Sequence, residues 1–286
     1  MKNISGIACS AIGSSHVKTG KGCQDASLYI NEKNYAAIMV SDGHGGNKHF
    51  RSAIGSQIAI EICKRELPEF IKGVSGKTDM KQLARLLSDF EKHIIYSWRD
   101  EIENELIIHP LLDDELLTFS DLVKSEIEQN PHIAFGATLL LAIAACNNLF
   151  IIQLGDGDCR IQVDKRIENP IESDDSLHFG RTASLCNDDA VQHIRDQIIP
   201  LGAVEACFLS SDGVFNSFDT EEHFRDFLMT VSEEMTKAEN DLDAEMKEFL
   251  PKLSCAGSGD DVSIAVFVRN TNVDIPESKL KSLFKL

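Results

Sequence analysis

Residues 35–46 read YAAIMVSDGHGG and join a short apolar run to an aspartate and a group of glycines. The run 35–40 has the length and composition of a buried β-strand. It ends just before Asp42, and apolar residues then recur at the four-residue spacing of an amphipathic helix. The residues that form this helical pattern are Phe50, Ile54, Ile58 and Ile62. The stretch therefore predicts a carboxylate at the junction between a strand and a helix.

Short apolar runs and helical patterns alternate along the rest of the chain. Residues 137–145 and 149–154 lie on either side of an Asn-Asn pair, which predicts two antiparallel strands around a tight turn. Hairpin-linked strands with long helices between them favour antiparallel sheets covered by helices, in one domain. The other predicted strands are 159–163, 206–209 and 262–268, and the other predicted helices are 83–102, 113–130, 188–198 and 224–250.

The composition excludes several classes of function. Among 286 residues, 46 Asp and Glu outnumber 28 Lys and Arg, which gives a net charge of -18 and argues against nucleic acid or an anionic membrane as partner. The eight cysteines form no Cys-x-x-Cys pair, and they are typical of small buried side chains in a reducing compartment. With no signal-peptide pattern and no apolar run of about 20 residues, we expect a cytoplasmic protein.

Aspartates stand beside the ends of several predicted strands. Asp42, Asp156 and Asp212 each precede a glycine, Asp260 follows one, and Asp25 comes just before another apolar segment. An isolated Asp-Gly step is most often a hairpin turn. Asp42 and Asp212, however, are followed by helical spacing and not by a return strand. We therefore expect these aspartates to converge at one rim of the sheets.

Several carboxylates cannot share a small volume as bare charges, so they need cations or protons. Because no His or Cys ligand set lies nearby in the sequence, the matching cations are Mg²⁺ or Mn²⁺. Two such ions about 3.5–4 Å apart can lower the pKa of a shared water and hold the oxygens of a phosphate. A glycine beside each aspartate permits a sharp turn and a close approach of its carbonyl to a metal.

These motifs resemble those of the type 2C metal-dependent serine/threonine protein phosphatases, and residues 15–26 are most similar to a bacterial branch of that family. The similar segments follow the family's order and span residues 22–268. They are SDGHGG at 41–46, FGAT at 135–138, LGDGDCR at 154–160, LSSDGVFN at 209–216 and GDDVS at 259–263.

The resemblance implies an α+β fold, a four-layer αββα sandwich in which helices flank two antiparallel sheets. A single phosphatase domain would cover residues 1–270, with a flap-like region at 164–204 beside the active site and a C-terminal tail at 271–286. The implied reaction is hydrolysis of phosphoserine or phosphothreonine by a water that bridges two Mg²⁺ or Mn²⁺ ions. The implied partners are a phosphorylated protein substrate and a cognate kinase.

The resemblance also assigns roles to residues. Asp42 would bridge both metal ions, and the Gly43 carbonyl would bind one of them. Asp212 and Asp260 would complete the other ion's shell, Asp25 would hold the metal-bound water, and Asp156 would serve a looser third ion. His44 would act as general acid toward the leaving serine oxygen.

Three positions depart from the family pattern. Gln24 stands where the family has glutamate, and Asn216 stands where many relatives have an aspartate for the third metal. The phosphate-binding arginine of the family falls on Gly20, which leaves His16, Lys18 or Lys21 as the cation for phosphate. A lysine would act there as a point charge and not as a bidentate fork.

Two alternatives belong to other classes of function. The losses at residues 20 and 24 suggest a pseudophosphatase that binds phosphoproteins as a signalling scaffold, although three retained metal-binding aspartates argue against a retired site. Another two-metal phosphoesterase, such as a nuclease, is disfavoured by the acidic charge and by the lack of a basic stripe.

Overall fold

A computed structural model describes residues 1, 3–171, 182–237 and 241–270. Within them, two antiparallel five-stranded sheets lie at the centre of the molecule. The first sheet has the order β1 (Ile4–Ala11), β10 (Val262–Arg269), β9 (Ala206–Ser210), β6 (Asp158–Val163) and β7 (Arg166–Glu168). The second sheet has the order β2 (Ala26–Asn31), β3 (Tyr35–Ser41), β4 (Leu139–Ala145), β5 (Asn148–Leu154) and β8 (Arg195–Pro200).

Long helices cover the outer face of each sheet. The pair α2 and α3 covers the second sheet, and the pair α7 and α8 covers the first. No helix in the described segments is both long and apolar enough to cross a membrane. The helices are α1 (Ser14–Thr19), α2 (Ser52–Val74), α3 (Met80–Ile108), α4 (Asp113–Leu116), α5 (Asp121–Gln129), α6 (Asp212–Phe215), α7 (Glu221–Met235) and α8 (Leu242–Ala256).

The alternation of side chains along β3 explains why this strand is apolar throughout. Ile38 and Val40 pack against Phe267 in the core between the two sheets. Met39 belongs to the opposite face and shares a second core with Trp98 of α3. Because both faces of the strand are buried, neither set of alternating positions is polar. A third core, under α7 and α8, completes the predicted four-layer αββα sandwich, which is confirmed.

The structure corrects three predicted helices, of which the pattern at 224–250 divides into α7 and α8. The candidate at 188–198 is wrong, because a short 3₁₀ turn at Ala190–His193 leads into β8, an edge strand that pairs with β5. The pattern at 113–130 divides into α4 and α5, since Ser120 caps the second helix by accepting a hydrogen bond from the Val123 amide. The proposed tail at 271–286 and part of the flap-like region lie outside the described residues, so the domain boundaries stay predictions.

One close contact fixes α2 against the segment that leads to β4. A Cβ atom on Gly55 would lie 1.8 Å from the carbonyl oxygen of Phe135. On the other side, the Trp98 indole donates a 2.9 Å hydrogen bond to the carbonyl of Gly55. The backbones of α2 and the Phe135 segment are therefore in direct contact, with no room for a side chain between them.

We expect Gly55→Ala to lower the free energy of unfolding by about 2–3 kcal/mol, because the methyl group overpacks a contact between two backbones. The matched control is Gly73→Ala in the same helix, where the nearest atom to the new Cβ would be 4.0 Å away. This control should leave stability unchanged or raise it by about 0.5 kcal/mol. Urea unfolding measures both, and equal midpoints for the two variants would contradict the contact.

A buried carboxyl group on α3 is left without a full set of partners. Glu91 is only 7% exposed, and its Oε1 atom has no hydrogen-bond partner. Burial raises the pKa of Glu91 to about 8, the charge of Asp196 on β8 adds to the rise, and Lys92 opposes it. Ionised Glu91 therefore destabilises the packing of α3 on the edge of the second sheet.

The raised pKa of Glu91 predicts a pH-dependent stability. Because the folded-state pKa lies above the unfolded value of about 4.3, this group's contribution to folding is lost as pH rises from about 4.3 to 8. Glu91→Gln should therefore stabilise the protein at pH 8 and have little effect at pH 4.5. Chemical unfolding at both values tests this, with exposed Asp100→Asn on the same helix as control. A gain of equal size at both pH values would contradict the interpretation.

Candidate active site

Strand pairing brings the predicted aspartates to one rim. Asp25 precedes β2 and Asp42 follows β3, and the pairing of Ala26 with Ser41 places these two aspartates side by side. In the first sheet, the last residue of β9 pairs with the first residue of β6 and with a residue near the start of β10. Asp156, Asp212 and Asp260 flank those strand ends. Both sheets therefore contribute carboxylates to the same edge of the sandwich.

The charges of these aspartates act on one another. Burial raises the pKa of Asp42 well above its ordinary value, and the charges of Asp25, Asp212, Asp156 and Asp260 raise it further. Burial also raises the pKa of Asp212, with Asp156 and Asp260 adding to the rise. Carboxylates that raise each other's pKa share one region of strongly negative potential.

Asp25 is the most deeply buried member of this group. It is 7% exposed, and neither carboxylate oxygen has a hydrogen-bond partner. Burial raises the pKa of Asp25 to about 7, and the charges of Asp261 and Asp260 add to the rise. The Ser211 and Ser263 hydroxyls lower this pKa, although neither makes a well-formed hydrogen bond to the carboxylate. An unpaired buried carboxylate is unfavourable, so Asp25 is suited to face a cation or a polarised water.

The donor set fits a hard divalent cation. All the converging side chains are carboxylates, which are the ligands that Mg²⁺ and Mn²⁺ prefer. In the described part of the chain, no three His, Cys, Asp or Glu side chains are yet grouped closely enough to hold a metal ion. A bound cation would neutralise the repulsion among these carboxylates. The residues thus fit a hard divalent cation in their chemistry.

Hydrogen bonds to Thr138 hold the backbone of Asp42 in place. The amide of Asp42 donates to the Thr138 hydroxyl at 3.0 Å, and the amide of Thr138 donates to the Asp42 carbonyl at 2.8 Å. The Ser41 hydroxyl donates to the Thr138 carbonyl at 2.6 Å. Thr138 therefore fixes the Asp42 backbone through both its amide and its carbonyl.

The glycines after Asp42 and Asp212 serve close packing. A Cβ atom on Gly43 would lie 2.5 Å from the Gln24 carbonyl oxygen, and one on Gly213 would lie 2.1 Å from the Asp261 carbonyl oxygen. Neither glycine has a positive φ. Contact between backbones therefore explains both glycines.

Asp261 is a buried residue that the sequence patterns did not identify. Its carboxylate accepts hydrogen bonds from the amides of Gly13 at 2.5 Å and Gln24 at 2.6 Å. It thereby ties the chain before β2 to the start of β10. The available signal in the sequence was the pair of adjacent aspartates at 260 and 261. In the structure, Asp260 is exposed to solvent and Asp261 is buried.

The proposed phosphate-binding residues occupy different environments. His16 is buried, with Nδ1 3.0 Å from Asp261 Oδ1 and Nε2 3.7 Å from Asp260 Oδ1. Lys18 is exposed on α1. The Lys21 ammonium lies 3.4 Å from the Gly45 carbonyl, beside the SDGHGG loop. The structure thus brings His16 and Lys21 to the rim, and the phosphate-binding roles of His16 and Lys18 stay predictions.

His44 packs against a second histidine. The ring centroids of His44 and His49 are 4.9 Å apart. Burial lowers the pKa of His44 to about 4, His49 and Lys48 lower it further, and Asp156 opposes them. The imidazole of His44 is therefore neutral at pH 7 while the site holds no phosphate.

Two of the three departures from the family pattern make side-chain contacts. The Gln24 amide donates to the Ser52 hydroxyl at 2.6 Å, so this side chain is directed to α2. The Asn216 amide donates to Asp212 Oδ2 at 3.2 Å. The Thr182 hydroxyl donates to Asp156 Oδ2 at 2.6 Å. Gln24 and Asn216 thus donate hydrogen bonds where the family pattern has carboxylates.

Known proteins resemble this chain over most of its length. Serine/threonine phosphatase stp of Listeria welshimeri is 20% identical over 264 residues, which cover 86% of this chain and 89% of that protein. Its counterpart in Listeria monocytogenes serotype 4b is 22% identical with the same coverage. PppA of Pseudomonas aeruginosa, described as a key regulatory component of T6SS, shares the fold at a TM-score of 0.58, with 16% identity over 93% of this chain and 98% of its own.

The family match covers the whole second sheet and most of the aspartate rim. Residues 12–251 match the family model described as Protein phosphatase 2C. This range includes Asp25, Asp42, Asp156 and Asp212, whereas Asp260, two residues before β10, lies outside it. The chain therefore belongs to the protein phosphatase 2C family.

Proposed function

We propose that this chain is a metal-dependent phosphatase that hydrolyses phosphoserine and phosphothreonine in a protein substrate. The observation that carries the proposal is the convergence of Asp42, Asp212 and Asp260 from two sheets, each aspartate lying in the field of the others. Family membership and the Listeria phosphatases support the same activity. Such a concentration of carboxylates has a clear use only if divalent cations occupy it.

Asp42, Asp212, Asp260 and the carbonyl of Gly43 would hold two Mg²⁺ or Mn²⁺ ions, and Asp156 would serve a third. When bound, these ions would supply Lewis acidity toward water and neutralise charge on the phosphate. The hydrogen bonds to Thr138 fix the backbone of Asp42 at the end of β3, beside the start of β4. The Asn216 amide donates a hydrogen bond to Asp212, and this side chain places no negative charge at the proposed third metal site.

Asp25 would orient the attacking water. Both of its oxygens are buried and free to accept hydrogen bonds. A buried carboxylate that accepts a hydrogen bond from water can orient that water and take its proton as a general base. Attack is then direct on phosphorus, and the oxygen of the substrate serine leaves with the bonding electron pair.

His44 would donate a proton or a hydrogen bond to that leaving oxygen. The ring is neutral in the free site because burial lowers its pKa to about 4. A phosphate dianion beside the ring would favour the charged form and raise the pKa of His44. For the phosphate itself, His16 and Lys18 remain the proposed contacts, with Lys21 nearest to the SDGHGG loop.

A phosphoprotein and a cognate kinase are the proposed partners in the cell, where the phosphatase would reverse a phosphorylation signal. We also propose a cytoplasmic location. All eight cysteines are free thiols, and Cys63, Cys159 and Cys207 are buried in the cores. Free thiols of this kind are typical of a reducing compartment.

Removal of a single carboxylate should abolish most of the activity. We expect Asp42→Asn and Asp212→Asn to lower kcat/KM for p-nitrophenyl phosphate with Mn²⁺ by more than about 100-fold, since even outer-shell partners of metals account for 10–100-fold. The control is Asp219→Asn, an exposed carboxylate in the turn after α6. Full activity in the Asp42 variant, across a range of Mn²⁺ concentrations, would refute the metal-dependent mechanism.

Metal binding itself should be measurable without substrate. Mn²⁺ should raise the unfolding temperature of the wild type, by about 2.7 kcal/mol in free energy at 100 times the dissociation constant, and should have much less effect on Asp42→Asn. Calorimetric titration gives the number of ions. A wild type that binds no Mn²⁺ would instead favour the phosphoprotein-binding scaffold, whose motivation is the replacement of the family's glutamate and arginine.

A further inference from the structure

A cavity of about 570 Å³ adjoins the aspartate rim. Gln24 and His49 line it; Gln24 precedes Asp25 in the chain, and the ring of His49 packs against that of His44 with 4.9 Å between centroids. Lys21 lines the cavity and also contacts the SDGHGG loop through the Gly45 carbonyl. The cavity therefore lies beside residues of the proposed active site.

The interior of this cavity is apolar on one side. The rings of Phe50 and Phe119 lie 5.9 Å apart and both face it, and Ala53 of α2 adds a methyl group to the wall. Pockets with aromatic walls and a few polar groups are typical ligand sites. Glu115 is the acidic residue of the lining, and Arg51 neutralises it with two hydrogen bonds of 2.7 and 2.9 Å.

Arg51 also holds the outer wall of the cavity in place. Its guanidinium donates to the carbonyls of His109 at 2.6 Å and Pro110 at 2.9 Å. The Glu115 carboxylate in turn accepts from the amide of Leu112 at 2.8 Å. The segment between α3 and α5 is therefore fixed against α2, so the cavity is a built feature of the fold.

The same segment displays large apolar side chains to solvent. Between the end of α3 and the start of α5, five aliphatic residues are at least 59% exposed, whereas isolated exposed apolar residues are the norm for a protein surface. A concentration of this kind beside a cavity marks a protein-binding surface. The five residues are Ile107, Ile108, Leu112, Leu117 and Leu122.

We propose that this cavity binds an aliphatic or aromatic side chain that flanks the phosphorylated residue of the substrate. The inference rests on the proposed phosphatase function and adds a preference for sequence around the phosphorylation site. An extended chain advances about 3.3 Å per residue, so a residue close to the phosphoserine in the substrate sequence can reach a cavity that lies beside the site. Lys21, placed between the cavity and the SDGHGG loop, complements the negative charge of the phosphate.

The test compares phosphopeptides that differ only in the residues beside phosphoserine. One set carries leucine or phenylalanine at one of the flanking positions, and the reference carries alanine throughout. We expect the wild type with Mn²⁺ to prefer one apolar position by about 10-fold or more in kcat/KM, the range that a hydrophobic pocket supplies. No preference at any flanking position would overturn the proposal.

A variant that fills the cavity tests the residue assignment. Ala53→Leu should reduce the preference to within about 2-fold and leave hydrolysis of p-nitrophenyl phosphate unchanged, because this small substrate does not reach the cavity. The control is Ala84→Leu on α3, an exposed position of the same type. Retention of the full preference by Ala53→Leu would overturn the proposal, as would an equal loss of activity on p-nitrophenyl phosphate.

A separate measurement distinguishes this proposal from the function on which it rests. If the wild type hydrolyses no phosphopeptide with Mn²⁺, the phosphatase function fails. Fluorescence anisotropy of labelled phosphopeptides then measures binding without turnover, and the apolar peptide should still bind about 10-fold more tightly to the wild type than to Ala53→Leu. Equal binding by both proteins would overturn the cavity assignment.

Discussion

Repulsion between clustered carboxylates is the constraint around which this molecule is built. Asp42 and Asp25 belong to one sheet and Asp212 and Asp260 to the other, and each raises the pKa of its neighbours or has its own pKa raised. Side chains in this position would separate if their backbones were free. They stay together because strand pairing inside each sheet and the shared core between the sheets hold the backbones in place.

Local contacts at the rim oppose the same repulsion. Thr138 accepts from and donates to the backbone of Asp42, and Asp261 binds two amides that lead into β2 and out of β1. Gly43 and Gly213 let neighbouring backbones touch. These contacts use the backbone and leave the carboxylates unpaired. Because these hydrogen bonds go to the main chain and not to the carboxylate of Asp25, this carboxylate is left able to interact with a cation.

The sequence was sufficient to predict the strand-end aspartates, because a strand, an aspartate and a glycine are neighbours in the chain and their pattern is local. The four-layer arrangement of sheets and helices, by contrast, could be predicted only with the help of the family resemblance. The structural role of Asp261 could not be read from sequence, since its partners Gly13 and Gln24 are distant in the chain. The edge strand β8 was mistaken for a helix because its exposed face leaves no strong alternation of apolar residues. The cavity beside Phe119 depends on the Arg51 contacts, which are likewise tertiary.

Because Gly20 stands where the family has its phosphate-binding arginine, the proposed metal ions would have to neutralise more of the negative charge on the phosphate. Gly20 carries no charge, and His16 already faces Asp260 and Asp261 at 3.7 and 3.0 Å. Lys21 is a single flexible cation in a protein whose net charge is -18. A phosphate dianion that approaches this rim without divalent ions meets a repulsive field. On the proposed function, affinity for the phosphorylated substrate would come from bound cations and from apolar contacts beside the phosphorylated residue, and the cavity next to Lys21 would supply the apolar contacts.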